Sequence, residues 1–319
     1  MRNETGRAIV MTVSMVEWHC GIGGVAAALG DAAKAVAAVD IHREALEIYR
    51  SNFPGHRAIC RNIESLTPQM VAGWGFADFW WMSPPCQPHT VLGHRKDLDD
   101  PRSASLKRLL ALIASLKPPN LAMENVPGFA ESQSRQALLD TLESAGYAWT
   151  EEVICPTAFG WPNRRERYYL AASRDTSAGL ASPKFDLIRP KPMGECVDAE
   201  YDFDARLIMD KAFITRYAGA IHEADRLHPS ERTNCFTSAY GRSPTRTGSY
   251  LKLPNGEGLR RFAPQEVLAL LDFPDTYRLP VDVEPRKLWP LAGNSLTLGA
   301  TRRTLSRLAI FADRFAGET

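Results

Sequence analysis

The sequence lacks the features that mark several classes of protein. Its 319 residues contain six cysteines, none in a Cys-x-x-Cys pair, so neither a disulfide framework nor a structural zinc site is expected. The apolar segment after the polar residues 1–7 is too short for a signal peptide or a membrane span. Internal repeats and low-complexity tracts are absent as well. We therefore expect a soluble cytoplasmic protein with reduced thiols.

The sequence also lacks an excess of charge of either sign. Its formal net charge is +1, and 45% hydrophobic with 24% charged residues is typical of an ordinary globular protein. Any surface for nucleic acid must therefore be local. The length corresponds to roughly two domains. The proline-rich stretch after residue 176 indicates a boundary, so we predict one domain from 1–178 plus 286–319 and a second from 179–285.

A glycine cluster separates the first predicted strand from the first predicted helix. The strand at 12–18 runs into residues 19–24, His-Cys-Gly-Ile-Gly-Gly, where glycine lets the backbone approach a ligand near helix amide groups. A second strand, 35–39, ends at Asp40, which either accepts the two hydroxyls of a ribose or caps the next helix. No P-loop lysine or further phosphate clamp is present. The pattern favours S-adenosylmethionine over ATP or NAD.

Two prolines separate a predicted buried strand, 76–82, from a cysteine. The intervening residues are Ser83, Pro84 and Pro85, and neither proline can donate to a sheet ladder. Cys86 then lies on a stiff turn beyond the carboxyl end of a strand, where open parallel sheets bind ligands. Because free cysteine is among the most buried residue types, Cys86 is either a reactive thiol or a packed loop residue.

Charged residues accompany the later strands. Glu124 ends a buried strand, which suits either a functional carboxylate or a cap of the following turn. Arg165 and Arg167 alternate on an extended segment and should face one side. They either share an anionic or carbonyl target or are ordinary surface arginines. The alternation of strands and helices predicts an α/β fold, closed by a long helix from about 297 to 315.

Two segments contain residue types that suit nucleic acid. The charged stretch 93–102, with Arg95, Lys96 and Arg102, is either a lid that meets phosphate or a solvated loop. The segment 232–250 mixes arginine, aromatic and small hydroxyl residues, a combination suited to stacking on unpaired bases and contacting phosphate.

The order of these motifs resembles that of the cytosine-5 methyltransferases over nearly the whole chain. Residues 17–24 and 293–295 are similar to the family's first and closing cofactor motifs, and 83–87 to its nucleophile motif. Residues 124–126 and 165–167 are similar to its glutamate and paired-arginine motifs. The run Cys-Phe-Thr at 235–237, with the segments 240–241 and 247–249, resembles the branch that methylates tRNA. His19, Asn62 and His89 depart from the residues usual in the family.

The resemblance implies a Rossmann-like S-adenosylmethionine-dependent methyltransferase fold with a smaller target-recognition domain at 179–285. The implied reaction is methylation of cytosine at carbon 5 in a tRNA anticodon loop, at cytosine 38, through a covalent adduct with Cys86. Glu124 would hydrogen-bond the base, and Arg165 and Arg167 would hold its carbonyl or a phosphate. A DNA cytosine-5 methyltransferase and a non-catalytic nucleic-acid-binding module are the alternatives.

The resemblance also implies the contacts of each ligand. No metal and no obligate protein partner are implied, and we expect a monomer. The cofactor contacts expected are Glu17, His19, Gly21, Gly23, Gly24, Asp40, Ile41, Asn62, Ile63, Ser83, Pro84, Asn294 and Ser295. The RNA contacts expected are Arg95, Lys96, Arg102, Cys235, Phe236, Thr237 and Tyr240.

Overall fold

A seven-stranded sheet and a three-stranded sheet form the framework of the computed structural model, which describes residues 12–85, 100–175, 180–182, 190–254, 256, 258–312 and 314–315. The large sheet contains β1 (Val13–Trp18), β2 (Ala33–Asp40), β3 (Ala58–Cys60), β4 (Phe79–Met82), β5 (Asn120–Asn125), β6 (Ala148–Ile154) and β7 (Arg167–Ser173). The small sheet contains β8 (Glu223–Ala224), β9 (Tyr250–Lys252) and β10 (Leu259–Arg261). The helices are α1 (Gly24–Leu29), α2 (Arg43–Asn52), α3 (Pro68–Ala72), α4 (Ala104–Leu116), α5 (Gln133–Ser144), α6 (Lys211–Arg216), α7 (Pro264–Leu270), α8 (Pro285–Gly293) and α9 (Leu298–Leu305).

The order of strands in the large sheet creates a crevice at its centre. The order is β3-β2-β1-β4-β5-β7-β6, with β1 to β5 parallel. The chain moves outward from β1 to β3 and then returns to β4, so the order reverses between β1 and β4. Ligands of open α/β sheets bind beyond the carboxyl ends of the strands at such a reversal. The predicted α/β class is confirmed.

The last two strands run against the others. β7 is antiparallel to both β5 and β6, a reversal that the sequence analysis did not predict. The amino end of β7 therefore lies at the edge where β1, β4 and β5 have their carboxyl ends. Its first residue, Arg167, is thereby brought to the crevice.

The large sheet is buried on both faces because successive side chains of a strand point to opposite sides. Phe79 and Trp81 of β4 pack on the side of α1, α2 and α9, whereas Trp80 and Met82 pack on the side of α3, α4 and α5. This explains the continuous apolar run that predicted a buried strand. The strand begins three residues later than predicted, and Phe76 is 69% exposed.

The three-stranded sheet shares a core with the large one. Leu251 of β9 and Phe262, just after β10, belong to the same apolar cluster as α1 and α9. Arg260 is fully buried beside them and forms ion pairs with Asp202 and Glu266, both at 2.7 Å. No helix in the described part of the chain is long and apolar enough to cross a membrane.

The predicted long terminal helix is wrong in length. α9 ends at Leu305, and the chain continues in turns in which the amides of Arg307, Leu308 and Phe311 bond carbonyls three residues back. Such turns place residues three apart on one side, so Leu308 and Phe311 are still buried. The apolar spacing that predicted a helix is satisfied by this succession of turns. Packing of α9 against the large sheet is confirmed by its contacts with β7 and α1.

The end of α8 approaches the backbone of another segment closely. A Cβ at Gly293 would lie 2.4 Å from the carbonyl oxygen of Thr237, whereas a Cβ at Gly55 would meet nothing within 4 Å. We predict that Gly293→Ala lowers the free energy of unfolding by about 1–3 kcal/mol because backbone must shift. Gly55→Ala, the matched control, should leave it nearly unchanged. Urea denaturation of both variants measures the difference, and equal stabilities would contradict the prediction.

Candidate active site

Three strands bring their ends into one row at the crevice. Strand pairing aligns the last residues of β1 and β4 with Met123 of β5. His19 and Ser83 directly follow β1 and β4, and Glu124 follows Met123 on β5, so the three lie at the same edge of the sheet. The ends of the predicted cofactor, nucleophile and glutamate motifs meet at this edge.

Asp40 joins the end of β2 to the glycine turn. Its Oδ2 accepts a hydrogen bond from the amide of Gly21 at 2.8 Å, and its Oδ1 accepts one from His42 at 2.9 Å. α2 begins at Arg43, with His42 in the N-cap position, so the helix-capping interpretation of Asp40 is wrong. A carboxylate has about four acceptor sites, which leaves capacity for ligand hydroxyls.

The space around this turn fits an adenosine group. A Cβ at Gly21, where φ is +52°, would meet nothing within 4 Å, so the space beside the Asp40 carboxylate is open. A Cβ at Gly23 would collide with the rings of Phe53 and Tyr49, so glycine there is needed for packing. Ile41, next to Asp40, is 61% exposed and presents an apolar surface suited to a base. The residues present therefore fit S-adenosylmethionine.

Glu17 lies beneath the glycine turn and is almost completely buried. Its Oε1 accepts from the amide of Val25 at 3.3 Å, and its Oε2 lies 3.0 Å from the hydroxyl of Tyr49, which lies 3.0 Å from Nδ1 of His56. Burial raises the pKa of Glu17 to about 8. Glu17 therefore supports the turn as a neutral acid rather than as a charged ligand group.

His19 has a left-handed backbone, with φ of 54°. Its Nε2 lies 3.2 Å from Oγ of Ser105 on α4. Burial lowers the pKa of His19 to about 4, although Asp40 opposes this effect. At neutral pH the imidazole is therefore uncharged and connects the turn after β1 to α4.

The prolines after β4 are fixed by contacts with neighbouring strands. Nε1 of Trp81 donates to Oγ of Ser83 at 2.7 Å, and the side-chain amide of Asn125 donates to the carbonyl of Pro84 at 3.2 Å. The chain is therefore held in place up to Pro84. Cys86 itself, like Gln87 and His89, lies outside the described residues.

Arg167 donates a hydrogen bond to Glu124 at the crevice. Nε of Arg167 lies 3.1 Å from Oε1 of Glu124, and both side chains are largely buried. Burial raises the pKa of Glu124, an effect that Arg167 and Arg165 only partly offset. Among the described residues, Oε2 of Glu124 has no hydrogen-bond partner. The carboxyl group is thus fixed through one oxygen and available through the other, which favours the functional interpretation over capping.

Arg165 is buried and bonds to backbone rather than to an open site. It donates to the carbonyls of Phe236 at 3.0 Å and Gly293 at 3.2 Å, and also to that of Ser295. With Arg165 at 3% exposure, the surface interpretation is wrong. Arg165 and Arg167 each have an Nη atom within 3.7 Å of Sγ of Cys235. The anionic or carbonyl target that they were expected to share stays a prediction.

The closing motif lies against the first one. A Cβ at Gly24 would be 3.1 Å from the side chain of Leu296, so the two segments are in contact. Asn294 is exposed and Ser295 is buried. Tyr277 adds a bond from its hydroxyl to the carbonyl of Ile22 at 2.6 Å. Segments more than 250 residues apart in sequence thus adjoin at the cofactor side of the crevice.

Two predicted RNA contacts are core residues, which corrects the expectation for them. Phe236 and Tyr240 are each 1% exposed, and their rings meet edge to face. A Cβ at Gly248 would lie 2.6 Å from the ring of Phe236. The mixture of aromatic and small residues here serves close packing. Thr237 is half-buried, and its Oγ1 accepts from the amide of Ala239 at 3.2 Å.

The remaining predicted contacts are distributed as follows. Asn62 is exposed and caps a short turn by accepting from the amide of Glu64 at 3.0 Å, and Ile63 is buried against α4. Arg95 and Lys96 lie outside the described residues, as does the side chain of Arg102. No cluster of His, Cys, Asp and Glu within the described ranges could hold a metal ion.

Sequence analysis missed three residues that support the site, Tyr49, His56 and Ser105. Tyr49 lies in α2 and His56 follows it, and the residue spacing there indicates only packing. Ser105 lies in the first turn of α4. Their partners Glu17 and His19 are distant in sequence. No local pattern identifies such contacts.

The chain is similar to known proteins in both sequence and structure. The sequence model of the family described as "C-5 cytosine-specific DNA methylase" matches residues 13–309. A Spodoptera frugiperda protein named "tRNA (cytosine(38)-C(5))-methyltransferase" is 32% identical over 90% of this chain and 96% of its own. A protein of the same name from Schizosaccharomyces pombe is 28% identical over 92% of this chain and 96% of its own. The crystal structure of a Spodoptera frugiperda DNMT2 variant superposes with a TM-score of 0.78 at 29% identity, covering 94% of this chain and all of that one.

The buried acid under the glycine turn predicts a pH-dependent stability. The pKa of Glu17 is near 4.5 in the unfolded chain and about 8 in the folded protein. Between these pH values the folded state binds more protons than the unfolded state. The contribution of Glu17 to the free energy of unfolding therefore falls by up to about 1.4 kcal/mol per pH unit as pH rises. Glu17→Gln should therefore become increasingly stable relative to the wild type from pH 5 to 8.

Urea denaturation at several pH values measures this difference. Glu47→Gln on the exposed side of α2 is the control and should follow the wild type throughout. A constant offset between Glu17→Gln and the wild type at all pH values would refute the prediction.

Proposed function

The chain belongs to the C-5 cytosine-specific DNA methylase family, and on that premise we propose that it methylates carbon 5 of cytosine 38 in a tRNA anticodon loop, with S-adenosylmethionine as methyl donor. The fold is that of the S-adenosylmethionine-dependent methyltransferases. The tRNA substrate is supported by the names of the two relatives of this chain described above. The proposal includes the cytoplasmic location and the monomeric state expected from the sequence.

The observation that carries the proposal is the juxtaposition of Glu124 with the turn that leads to Cys86. Glu124 follows Met123, whose partner on β4 is the last residue before Ser83. A nucleophile beyond Pro85 and an acid on β5 would therefore flank a base that enters the crevice from the open side. Such a base must leave its stack, which is least costly in an unpaired loop.

The proposed chemistry begins at carbon 6 of the base. Carbon 5 of cytosine is a poor nucleophile, and addition of the Cys86 thiolate to carbon 6 makes it enamine-like. Glu124, which burial keeps protonated to higher pH, donates through its free oxygen to the ring nitrogen as negative charge develops there. Arg167 holds the other oxygen and so fixes the direction of that donation.

The cofactor would lie in the space beside Gly21, with Asp40 accepting the ribose hydroxyls and Ile41 against the adenine. S-adenosylmethionine supplies the electrophilic methyl group that carbon 5 takes up. Loss of the carbon-5 proton to a water molecule then allows the bond between carbon 6 and Sγ of Cys86 to break. The ring nitrogen returns its proton to Glu124, which restores the ring and the thiolate. The segment 179–285 is proposed as the target-recognition domain, supported by its separate small sheet and the exposed Arg242 and Arg246.

The nucleophile assignment predicts complete loss of activity in Cys86→Ala. Without a thiolate to add at carbon 6, transfer of tritiated methyl to tRNA should be undetectable, whereas cofactor binding by calorimetry should persist. Cys155→Ala is the matched control, since this half-buried thiol contacts Thr157 at 3.0 Å and should leave transfer unchanged. Undiminished transfer by Cys86→Ala would sink the assignment.

The role of Glu124 predicts both a rate and a pH effect. Glu124→Gln keeps an oxygen for Arg167 but cannot transfer a proton, so kcat should fall by about 10²–10⁴-fold with cofactor affinity retained. In the wild type, activity should decline as pH rises through the raised pKa of Glu124. This decline, the alkaline limb of the pH profile, should be absent in Glu124→Gln. Glu131→Gln, at an exposed position, is the control. If the alkaline limb persisted in Glu124→Gln, it would have to come from the titration of another group.

The family description favours DNA as a second candidate substrate. Parallel assays with total tRNA and duplex DNA separate the two. We expect incorporation into tRNA that bisulfite sequencing locates at cytosine 38. Transfer to duplex DNA alone would replace the tRNA proposal with the DNA alternative.

A further inference from the structure

A second thiol lies inside the crevice, beside the two arginines. Sγ of Cys235 is 3.5 Å from Nη1 of Arg165 and 3.7 Å from Nη2 of Arg167. Arg167 in turn reaches Glu124 through its Nε at 3.1 Å. The sulfur of Cys235 therefore contacts both Arg165, which bonds the backbone, and Arg167, which orients Glu124.

Among the described residues, the charges at this point do not balance if Cys235 is a neutral thiol. Two guanidinium groups face one carboxyl group, and that carboxyl group must be protonated for the proposed reaction. Tyr169, the other titratable group near them in the described part of the chain, has a pKa raised by burial and stays neutral. Cys235 is the ionisable group in contact with both positive charges.

The hydrogen bonds are compatible with a deprotonated sulfur. As a thiol, Cys235 could donate to the carbonyl of Phe236 at 3.6 Å, but that oxygen already accepts from Arg165 at 3.0 Å. Both arginine contacts have nitrogen as donor and sulfur as acceptor. Although burial raises the pKa of Cys235, the two arginines outweigh this and lower it overall.

We propose that Cys235 is a thiolate positioning residue of the reaction, the counter-anion that holds Arg165 and Arg167 together and reduces the positive charge acting on Glu124. It forms no bond to the substrate. By taking part of the charge of Arg167, it keeps Glu124 protonated under conditions in which two uncompensated arginines would ionise it. This deepens the proposed function and depends on it for its catalytic part.

The catalytic part is tested by the pH profile of methyl transfer. Removal of the thiolate leaves more positive charge beside Glu124, which lowers its pKa, so the alkaline limb should move to lower pH by about one unit. We expect this shift in both Cys235→Ser and Cys235→Ala, together with a loss of kcat of about tenfold and unchanged cofactor affinity. Cys155→Ser should retain the wild-type profile.

A purely structural role gives a different result. The alkaline limb would then stay in place while kcat fell, and serine, which conserves size and hydrogen bonding, would restore most of the rate. That outcome would overturn the proposal. It is measured on the same variants and in the same buffers.

The ionisation is tested without RNA or turnover. In the Cys86→Ala background, the ultraviolet thiolate absorbance of protein with and without Cys235→Ser isolates the signal of this sulfur. We expect one thiolate that titrates below the ordinary thiol value of about 8.5. A difference that develops only above that value would refute the thiolate. If substitution at 235 prevents folding, the β-carbon chemical shift of Cys235 in the Cys86→Ala protein reports the same titration.

The methyl-transfer assay and the absorbance titration distinguish failure of the proposed function from failure of the role of Cys235. If tRNA is not the substrate, no transfer is observed, yet the absorbance titration still decides whether Cys235 is ionised. If methylation occurs but the titration is that of an ordinary thiol, the proposed function stands and the role of Cys235 is rejected.

Discussion

A buried guanidinium group, which has no carboxylate partner among the described residues, holds the site together. Arg165 contacts the carbonyls of residues 236, 293 and 295, which lie before β9, at the end of α8 and in the segment after α8. Burying a charge is costly unless polar groups surround it, and burial lowers the pKa of this arginine. Three carbonyl dipoles and one sulfur supply that compensation. Loss of any of these segments would leave the charge uncompensated, so their positions depend on one another.

The reversal of β7 determines which residues can meet at the crevice. In a sheet that was parallel throughout, the first residue of the last strand would lie at the opposite edge from Glu124. Because β7 is antiparallel to β5, Tyr169 pairs with Glu124 and Arg167 lies just beyond it. The acid and its arginine are thus adjacent in space through strand direction, although 43 residues separate their positions along the chain.

Most of the catalytic framework was predictable because its signals are local. Strand β4, the two prolines, the glycine turn and Asp40 are each recognisable from neighbouring residues, and their order indicated the family. The charge state of Glu17, the role of Arg165 and the burial of Phe236 were not predictable. Each depends on contacts between distant segments, and arginine or aromatic residues beside glycine suit a nucleic-acid surface and a close-packed core equally well.

The contact between Gly24 and Leu296 has a consequence for synthesis of the protein. Chains fold from the amino terminus as they leave the ribosome, at about 5–20 residues per second, so β1 to β5 can pair well before residue 295 is made. During that interval Arg165 lacks two of its three carbonyl acceptors, and the crevice lacks one wall. A nascent chain would therefore hold a nearly complete sheet without a closed cofactor site. The crevice can therefore close only after residue 295 has been made.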